Sequence, residues 1–142
     1  MNVNTVKRYL SSNRRALGAL GERMAAHLLT EAGYLVISPK RAHSGDLRAI
    51  VGANGFCVEV KTARKSCDGK WRFTLYKPGH TDFRDSDVVL LLAVLQSGRC
   101  IPFAIPVAEI ESDRQQICIT SHPERYAGRW AIYRQDGSII LQ

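Results

Sequence analysis

Three charged residues flank a Gly-Ala-Asn-Gly segment at 52–55, in the middle of the sequence. Asp46 precedes this segment, and Glu59 and Lys61 follow it within a short, otherwise apolar run. Two carboxylates and a lysine on a largely buried surface are costly unless their charge is compensated, and a divalent cation compensates it directly. Mg²⁺ prefers one or two carboxylates, a carbonyl oxygen and several waters. Asp46, Glu59 and the backbone carbonyl of Val60 offer that set, so we expect a Mg²⁺ site here.

A Mg²⁺ ion at this position has a definite chemistry. When the ion is bound to a phosphate oxygen, it neutralises developing charge and makes a coordinated water more acidic. Lys61 can then orient or deprotonate that water, or stabilise the transition state as a point charge. The local pattern leaves an alternative open, because a surface ion pair between Lys61 and Asp46 or Glu59 is common on amphipathic hairpins and contributes little stability.

The convergence of the three charges depends on the register of a predicted hairpin. If the Gly-Ala-Asn-Gly segment is a four-residue loop, Val51 pairs with Phe56, and Asp46 lies opposite Lys61. Glu59 is then diagonal to Asp46 on the same face, because side chains alternate along a strand. An Asn-Gly type I′ turn keeps the same faces and moves Asp46 further along. The second strand should therefore have one packing side and one polar side.

An amphipathic helix is predicted from about Asn13 to Ala32. Its apolar residues recur at steps of three and four, at Leu17, Leu20, Met24 and Leu28. Asn13 is a suitable N-cap, and Gly33 occupies the usual position just after a helix. Glu22 lies off the apolar stripe, on a side of small residues. That side either approaches a sheet closely, which places Glu22 near the sheet's polar groups, or faces solvent.

The remaining segments alternate helical and extended patterns. Besides the hairpin, β-branched and aromatic residues predict strands at 34–38, 71–76, 87–95 and 100–106. The run 88–95 is apolar on both faces, which is typical of a central strand covered on each side by helices. A second helix is predicted at 107–116, and a closing hairpin around Asp136-Gly137. The pattern predicts an α/β fold.

Composition limits the classes of partner. Among 142 residues, 20 Lys and Arg against 13 Asp and Glu give a net charge of +7, which favours a polyanion or an anionic membrane. The longest apolar stretch is too short to span a membrane, and the N-terminus lacks an apolar signal region. We therefore expect a soluble, cytoplasmic protein with no membrane partner.

We expect one domain over residues 1–142, with 1–12 as a flexible basic arm. This arm is either a solvated start to the first helix or an extension that tracks phosphates. The four cysteines have no metal-binding spacing and are expected to be ordinary reduced residues, with Cys57 and Cys118 inside strands.

Three short motifs follow one another in a characteristic order. Glu22 lies in the helical segment GERMAAHLLTEAGY, Asp46 lies in SGDLRAI, and VEVK occupies 58–61, so that Glu59 follows Asp46 at a distance of 13 positions. Over roughly residues 17–106 this arrangement resembles the PD-(D/E)XK nuclease superfamily, with Gly45 in place of the proline. The resemblance implies a restriction-endonuclease-like core, in which helices flank a mixed central β-sheet.

The same resemblance implies roles for individual residues. Asp46 and Glu59 are then ligands of Mg²⁺, for which Mn²⁺ substitutes, Lys61 is the catalytic lysine, and Glu22 is an accessory acid near the metal. The implied products are a 5′-phosphate and a 3′-hydroxyl.

Within the superfamily, the chain is similar to two kinds of small oligomeric nuclease. These are the intron-associated homing endonucleases and the archaeal-type Holliday junction resolvases, and the segment 71–94 resembles the first kind more. The expected partner is double-stranded or branched DNA, and the expected assembly is a homodimer or homotetramer. A non-catalytic DNA-binding module with the same fold is the alternative of another class.

A basic segment follows the predicted site. Between residues 61 and 84 there are seven Lys or Arg against two Asp, interleaved with aromatic residues. The predicted phosphate contacts are Arg64, Lys65, Lys70, Arg72, Tyr76, Lys77 and His80. The alternative is that Trp71 and Phe73 are core residues, Tyr76 ends a strand, and His80 lies in a solvated loop. Asp82, Asp85 and Asp87 are expected to cap or solvate the turn before the central strand.

Overall fold

The chain forms one long helix and seven strands within residues 14–38, 46–76 and 82–119, which are the parts that this computed structural model describes. In chain order the elements are helix α1 (Arg14–Glu31) and strands β1 (Leu35–Ile37), β2 (Leu47–Val51), β3 (Asn54–Arg64), β4 (Trp71–Thr74), β5 (Val88–Val94), β6 (Cys100–Pro106) and β7 (Gln116–Ile119). Two single-turn 3₁₀ helices, Phe83–Asp85 and Val107–Glu109, precede β5 and follow β6.

Five of the strands form one mixed sheet in the order β1-β2-β3-β5-β6. Strands β3 and β5 pair in parallel, and the other neighbours pair antiparallel. Strand β5 lies inside the sheet, and nearly all of its residues are buried, because its side chains are apolar on both faces. The predicted α/β class and the central position of 88–95 are therefore confirmed.

Helix α1 covers one face of this sheet. Ala25 and Leu29 are fully buried there, and the approach is tightest at Gly21, where a Cβ atom would lie 1.7 Å from Thr62 Oγ1. Small residues therefore make the closest contact. Leu17 and Leu20 of the predicted apolar stripe are buried as well, whereas Met24 and Leu28 are only partly buried. The predicted N-cap, at position 13, lies outside the described residues.

The helix ends where the sequence predicts. Gly33 has a φ of +98°, a conformation that other residues rarely adopt. Its N–H donates to Thr30 O, and Tyr34 N–H donates to Leu29 O, which is the bond pattern of a Schellman motif. This motif satisfies two backbone carbonyls at the end of the helix and turns the chain into β1.

The opposite face of the large sheet is covered by a small one rather than by a helix. Strands β4 and β7 pair antiparallel, and their buried residues pack with β5 and β6 in a second apolar cluster. The prediction of a second helix at 107–116 is wrong. Only a 3₁₀ turn forms, and then the alternation of buried Ile117 and Ile119 with less buried neighbours gives strand β7.

Several further predictions fall in or beyond these elements. Cys57 and Cys118 lie in β3 and β7 as predicted, and all four cysteines carry free thiols. The closing hairpin around Asp136-Gly137 lies outside the described residues. Within the part of the chain that the structure describes, no helix is long and apolar enough to cross a membrane.

Trp71 joins the two sheets through one buried hydrogen bond, since its indole Nε1–H donates to Val94 O over 3.1 Å. Replacing it with Phe leaves that carbonyl without its donor, so Trp71→Phe should lower the free energy of unfolding by about 1–3 kcal/mol. Tyr76→Phe, at the exposed end of the same segment, is the control and should change it by less than about 0.5 kcal/mol. Urea denaturation measures both. Equal losses for the two variants would contradict this role of Trp71 in the core.

Candidate active site

The β2–β3 hairpin turns over two residues, Gly52 and Ala53, because Val51 pairs with Asn54. Gly52 has a φ of +58°, and a glycine with positive φ at the first position of a two-residue loop is typical of type II′ turns. Neither predicted turn, a four-residue loop or an Asn-Gly turn, is therefore correct.

The shorter turn changes the register but not the faces. Leu47 pairs with Val58, so the next position along places Asp46 level with Glu59 and not opposite Lys61. The number of loop residues stays even, and this preserves the predicted placement of Asp46 on the face of Glu59. In the observed register, Asp46 and Glu59 are therefore closer together than in the diagonal arrangement that the sequence predicts.

Asp46 is fixed to β3 by two hydrogen bonds. Its backbone N–H donates to Val58 O over 2.9 Å, and its Oδ2 accepts the N–H of Val60 over 2.8 Å. Burial raises the pKa of Asp46, although the Val60 N–H and the charge of Lys61 both act in the opposite direction. The carboxylate is thus held rigidly in a partly buried position at the start of β2.

Glu59 is almost completely buried, with 2% of its surface exposed. Its Oε1 accepts from Lys61 Nζ over 3.0 Å, but its Oε2 is buried and has no hydrogen-bond partner. Burial is the largest cause of its raised pKa, and the negative charges of Asp46 and then Glu22 raise it further against the opposing effect of Lys61. An unpaired buried carboxylate oxygen is unusual in proteins, and it is well suited to bind a cation.

The face that carries Glu59 is not the open polar side that the sequence predicts. Glu59 pairs in register with Val89 of β5, and two residues beyond Lys61 the same face continues into buried Ala63. The charges therefore lie at the border of the second apolar cluster, which explains the burial of Glu59. The opposite face of β3 carries Val58 and Val60 under α1, as predicted.

Glu22 approaches this site from α1. Its side chain is exposed to solvent on one side, yet partial burial and the charge of Asp46 raise its pKa. The charge of Glu22 in turn affects Glu59. Both interpretations of Glu22 are thus partly correct, since it is exposed to solvent and also interacts electrostatically with the acids of the hairpin.

The donor set fits a divalent cation. If all three acids ionise, three negative charges face the single positive charge of Lys61, and the excess equals the charge of Mg²⁺. Among the described residues, no three His, Cys, Asp or Glu side chains lie close enough together to hold a metal ion. Two carboxylates from Asp46 and Glu59, completed by a carbonyl and waters, nevertheless meet the usual requirements of Mg²⁺.

Comparisons with known proteins address the fold. No family model matches the chain, and no curated protein sequence matches it. The structure is similar to that of a bacterial homing endonuclease, I-Ssp6803I, with a TM-score of 0.60 at 20% sequence identity, over 76% of this chain and 75% of that one. The chain therefore shares the fold of that endonuclease. The restriction-endonuclease-like core implied by the motifs is therefore confirmed as a fold.

A second solved structure also matches. It is Hjc, a Holliday junction resolvase from the archaeal hyperthermophile Archaeoglobus fulgidus, with a TM-score of 0.49 at 18% identity, over 77% of this chain and 86% of that one.

Around the candidate site, the predicted phosphate contacts have different surroundings. Arg72 forms a bidentate ion pair with Asp68. The ammonium group of Lys65 lies over the Trp71 ring, 5.5 Å from its centroid. The exposed members of the set are Arg64, Lys65, Lys70, Arg72 and Tyr76. Lys77 and His80 lie outside the described residues.

The aromatic and acidic residues of the segment are largely structural. Trp71 and Phe73 are core residues, with 3% and 1% of their surfaces exposed. Asp82 caps the 3₁₀ turn before β5 by accepting the N–H of Arg84, as predicted. Asp87 has a different role, because its Oδ2 accepts the N–H of Cys57 and so links the start of β5 to β3. No local pattern in the sequence predicts that contact.

The raised pKa of Glu59 predicts a gain in stability on removing its charge. Below the ordinary carboxyl value of 4.5 the group is protonated in both states, whereas its folded state becomes less stable as the pH rises through the raised pKa. In EDTA, Glu59→Gln should therefore have a higher Tm than wild type at pH 7.5, by roughly 2–5 °C per kcal/mol relieved. This difference should shrink towards pH 4.

Thermal denaturation at several pH values measures the effect. The control is Glu109→Gln, an exposed carboxylate on the 3₁₀ turn after β6, whose Tm should match wild type throughout. If Glu59→Gln were less stable than wild type at pH 7.5 and equal to it at pH 4, the Glu59 charge would stabilise the fold, contrary to this prediction.

Proposed function

We propose that the protein is a Mg²⁺-dependent DNA endonuclease that hydrolyses phosphodiester bonds. The observation that supports this most is the buried, unpartnered Oε2 of Glu59, level with the fixed carboxylate of Asp46 and beside the ammonium group of Lys61. Burying Glu59 next to the partly buried Asp46 opposes folding, and a bound divalent cation would offset that cost.

Asp46, Glu59 and the backbone carbonyl of Val60 would hold the ion. The Val60 N–H points to the Asp46 carboxylate, and in a strand the carbonyl of the same residue points to the same side. When bound, Mg²⁺ supplies Lewis-acid stabilisation of charge on the phosphate and lowers the pKa of a bound water; Mn²⁺ would serve as a substitute.

Lys61 and Glu22 would perform the other steps of the reaction. Lys61 gives one N–H to Glu59 Oε1 and keeps two donors for a phosphate oxygen or the attacking water. Glu22, the accessory acid, is exposed to solvent and interacts electrostatically with Asp46 and Glu59, which suits a group that orients water beside the site. The oxygen of water bonds to phosphorus while the bond from phosphorus to the 3′-oxygen breaks. The 3′-oxygen takes up a proton, which leaves a 3′-hydroxyl and a 5′-phosphate.

DNA would be bound by the basic segment that follows the site. Arg64, Lys65 and Lys70 are exposed, with positive charges suited to the phosphates next to the scissile bond. Tyr76, also exposed, is a further proposed contact. Arg72 can contribute only after it releases Asp68, so we assign it less weight. The predicted contacts of Lys77 and His80 remain part of the proposal.

The finer proposal is a homing-type, group I intron-associated enzyme that makes double-strand breaks. The likeness to the homing endonuclease I-Ssp6803I, with a TM-score of 0.60, supports this choice. The alternative is a Holliday junction resolvase or another structure-specific nuclease. A homodimer or homotetramer would place two active sites on one duplex, as a double-strand break needs. The proposed location is the cytoplasm.

Cleavage assays test the function directly. Wild-type protein should cut DNA in Mg²⁺ or Mn²⁺ and not in EDTA, and Glu59→Gln and Lys61→Ala should each lose at least about 10²-fold in rate. Suitable substrates are a supercoiled plasmid, a linear duplex library of randomised sequence and a four-way junction, since the target is unknown. Glu109→Gln, a carboxylate away from the site, should cut at the wild-type rate.

The products distinguish the candidate functions. Staggered breaks at one duplex sequence are expected for homing, whereas paired nicks across the junction would favour resolution. Tight DNA binding by the wild-type protein, with no cleavage of any substrate in either metal, would contradict the enzyme and favour a non-catalytic DNA-binding module.

A further inference from the structure

We propose that Gly21 and Thr62 are positioning residues, whose close contact between α1 and β3 sets the distance from Glu22 to the acids of the hairpin. The inference rests on the proposed function for the role of Glu22. It assigns to these two residues a part in the reaction that they perform without touching DNA or metal.

The contact is tighter than ordinary packing. A Cβ atom on Gly21 would lie 1.7 Å from Thr62 Oγ1, 2.9 Å from its Cβ and 3.2 Å from its Cγ2. Moving the hydroxyl group alone would not make room, because the Cβ of Thr62 is fixed to the strand. A Cβ atom on Gly18, one turn earlier on the same helix, would have nothing within 4 Å. Of these two glycines, only Gly21 lets the helix approach the sheet by lacking a side chain.

Both partners of the contact are sequence neighbours of active-site residues. Glu22 follows Gly21 on the helix, and Lys61 precedes Thr62 on the strand. A rigid helix cannot move at Gly21 without moving Glu22, because adjacent residues share one backbone turn. The contact therefore fixes the acid of the helix against the strand that carries Glu59 and Lys61.

The electrostatics agree with this geometry. The negative charge of Glu22 interacts with those of Asp46 and Glu59. These interactions cross from the helix that carries Gly21 to the sheet that carries Thr62. A methyl group at Gly21 would push the helix outwards and weaken them, because dense interiors transmit such shifts.

A double-mutant cycle on the cleavage rate tests the proposal. In the wild-type background, Glu22→Gln should lower kcat roughly 10–100-fold, as is usual for residues that support a metal site. In a Gly21→Ala background, the same change should have almost no further effect, because Glu22 is already displaced. An equal loss in both backgrounds would overturn the proposal, since a merely structural role of Gly21 leaves the contribution of Glu22 unchanged.

A second cycle needs no activity. The repulsion between Glu22 and Asp46 is measured from the stabilities of Glu22→Gln, Asp46→Asn and the double variant in EDTA at pH 8. It should be present in wild type and fall towards zero in Gly21→Ala. If the protein cuts no DNA, the proposed function fails, and this cycle alone decides the positioning role. Repulsion that is unchanged in Gly21→Ala overturns it.

Three controls separate position from stability. Gly18→Ala should leave kcat unchanged. Ile105→Val is the control for lost stability, because Ile105 packs in the second apolar cluster, on the other side of the sheet from the contact between Gly21 and Thr62. The exchange Gly21→Ala with Thr62→Gly removes all three close atoms and should restore the effect of Glu22→Gln. If Gly21→Ala does not fold, Thr62→Val replaces the hydroxyl group by a bulkier methyl group and takes its place in both cycles.

Discussion

Glu59 and Asp46 bring two carboxylates to adjoining strands, one of them almost completely buried, and the rest of the site follows from that constraint. Burial raises the pKa of both carboxyls, and the charge of Asp46 raises that of Glu59 further, even though Glu59 is paired with Lys61. The surrounding fold has to hold them together against this repulsion. A cation with two positive charges would remove the repulsion, and binding it as proposed would link folding of the site to its occupation.

The site lies where strand pairing stops. Strand β2 begins at Leu47 while β3 continues to Arg64, so beyond Val58 the edge of β3 has no strand partner on that side among the described residues. The Asp46 carboxylate takes the place of a strand and accepts the Val60 N–H. Apolar clusters on both faces of the sheet keep this edge rigid. The proposed cation site thus lies beside backbone groups of β3 that do not pair with another strand among the described residues.

The sequence predicted the site better than the layers around it. Side-chain alternation was enough to place Asp46 and Glu59 on one face, because any loop of even length gives the same faces. It could not set the loop length, since Gly52, Asn54 and Gly55 all suit turns. The helix predicted after Pro106 does not form, because the chain that follows pairs with β4, and this pairing joins residues that are distant in the sequence. Gly21 and Thr62 are distant in the sequence, so the local sequence pattern does not predict that they pack together.

The most direct measurement is a crystal structure of the protein soaked in Mn²⁺, with anomalous diffraction used to locate the ion. One ion per chain, bound by the carboxylates of Asp46 and Glu59 and absent from an Asp46→Asn crystal, is the predicted result. Manganese at other positions only, or none at a concentration that saturates ordinary Mn²⁺ sites, would contradict the claim that these two acids are gathered around a cation.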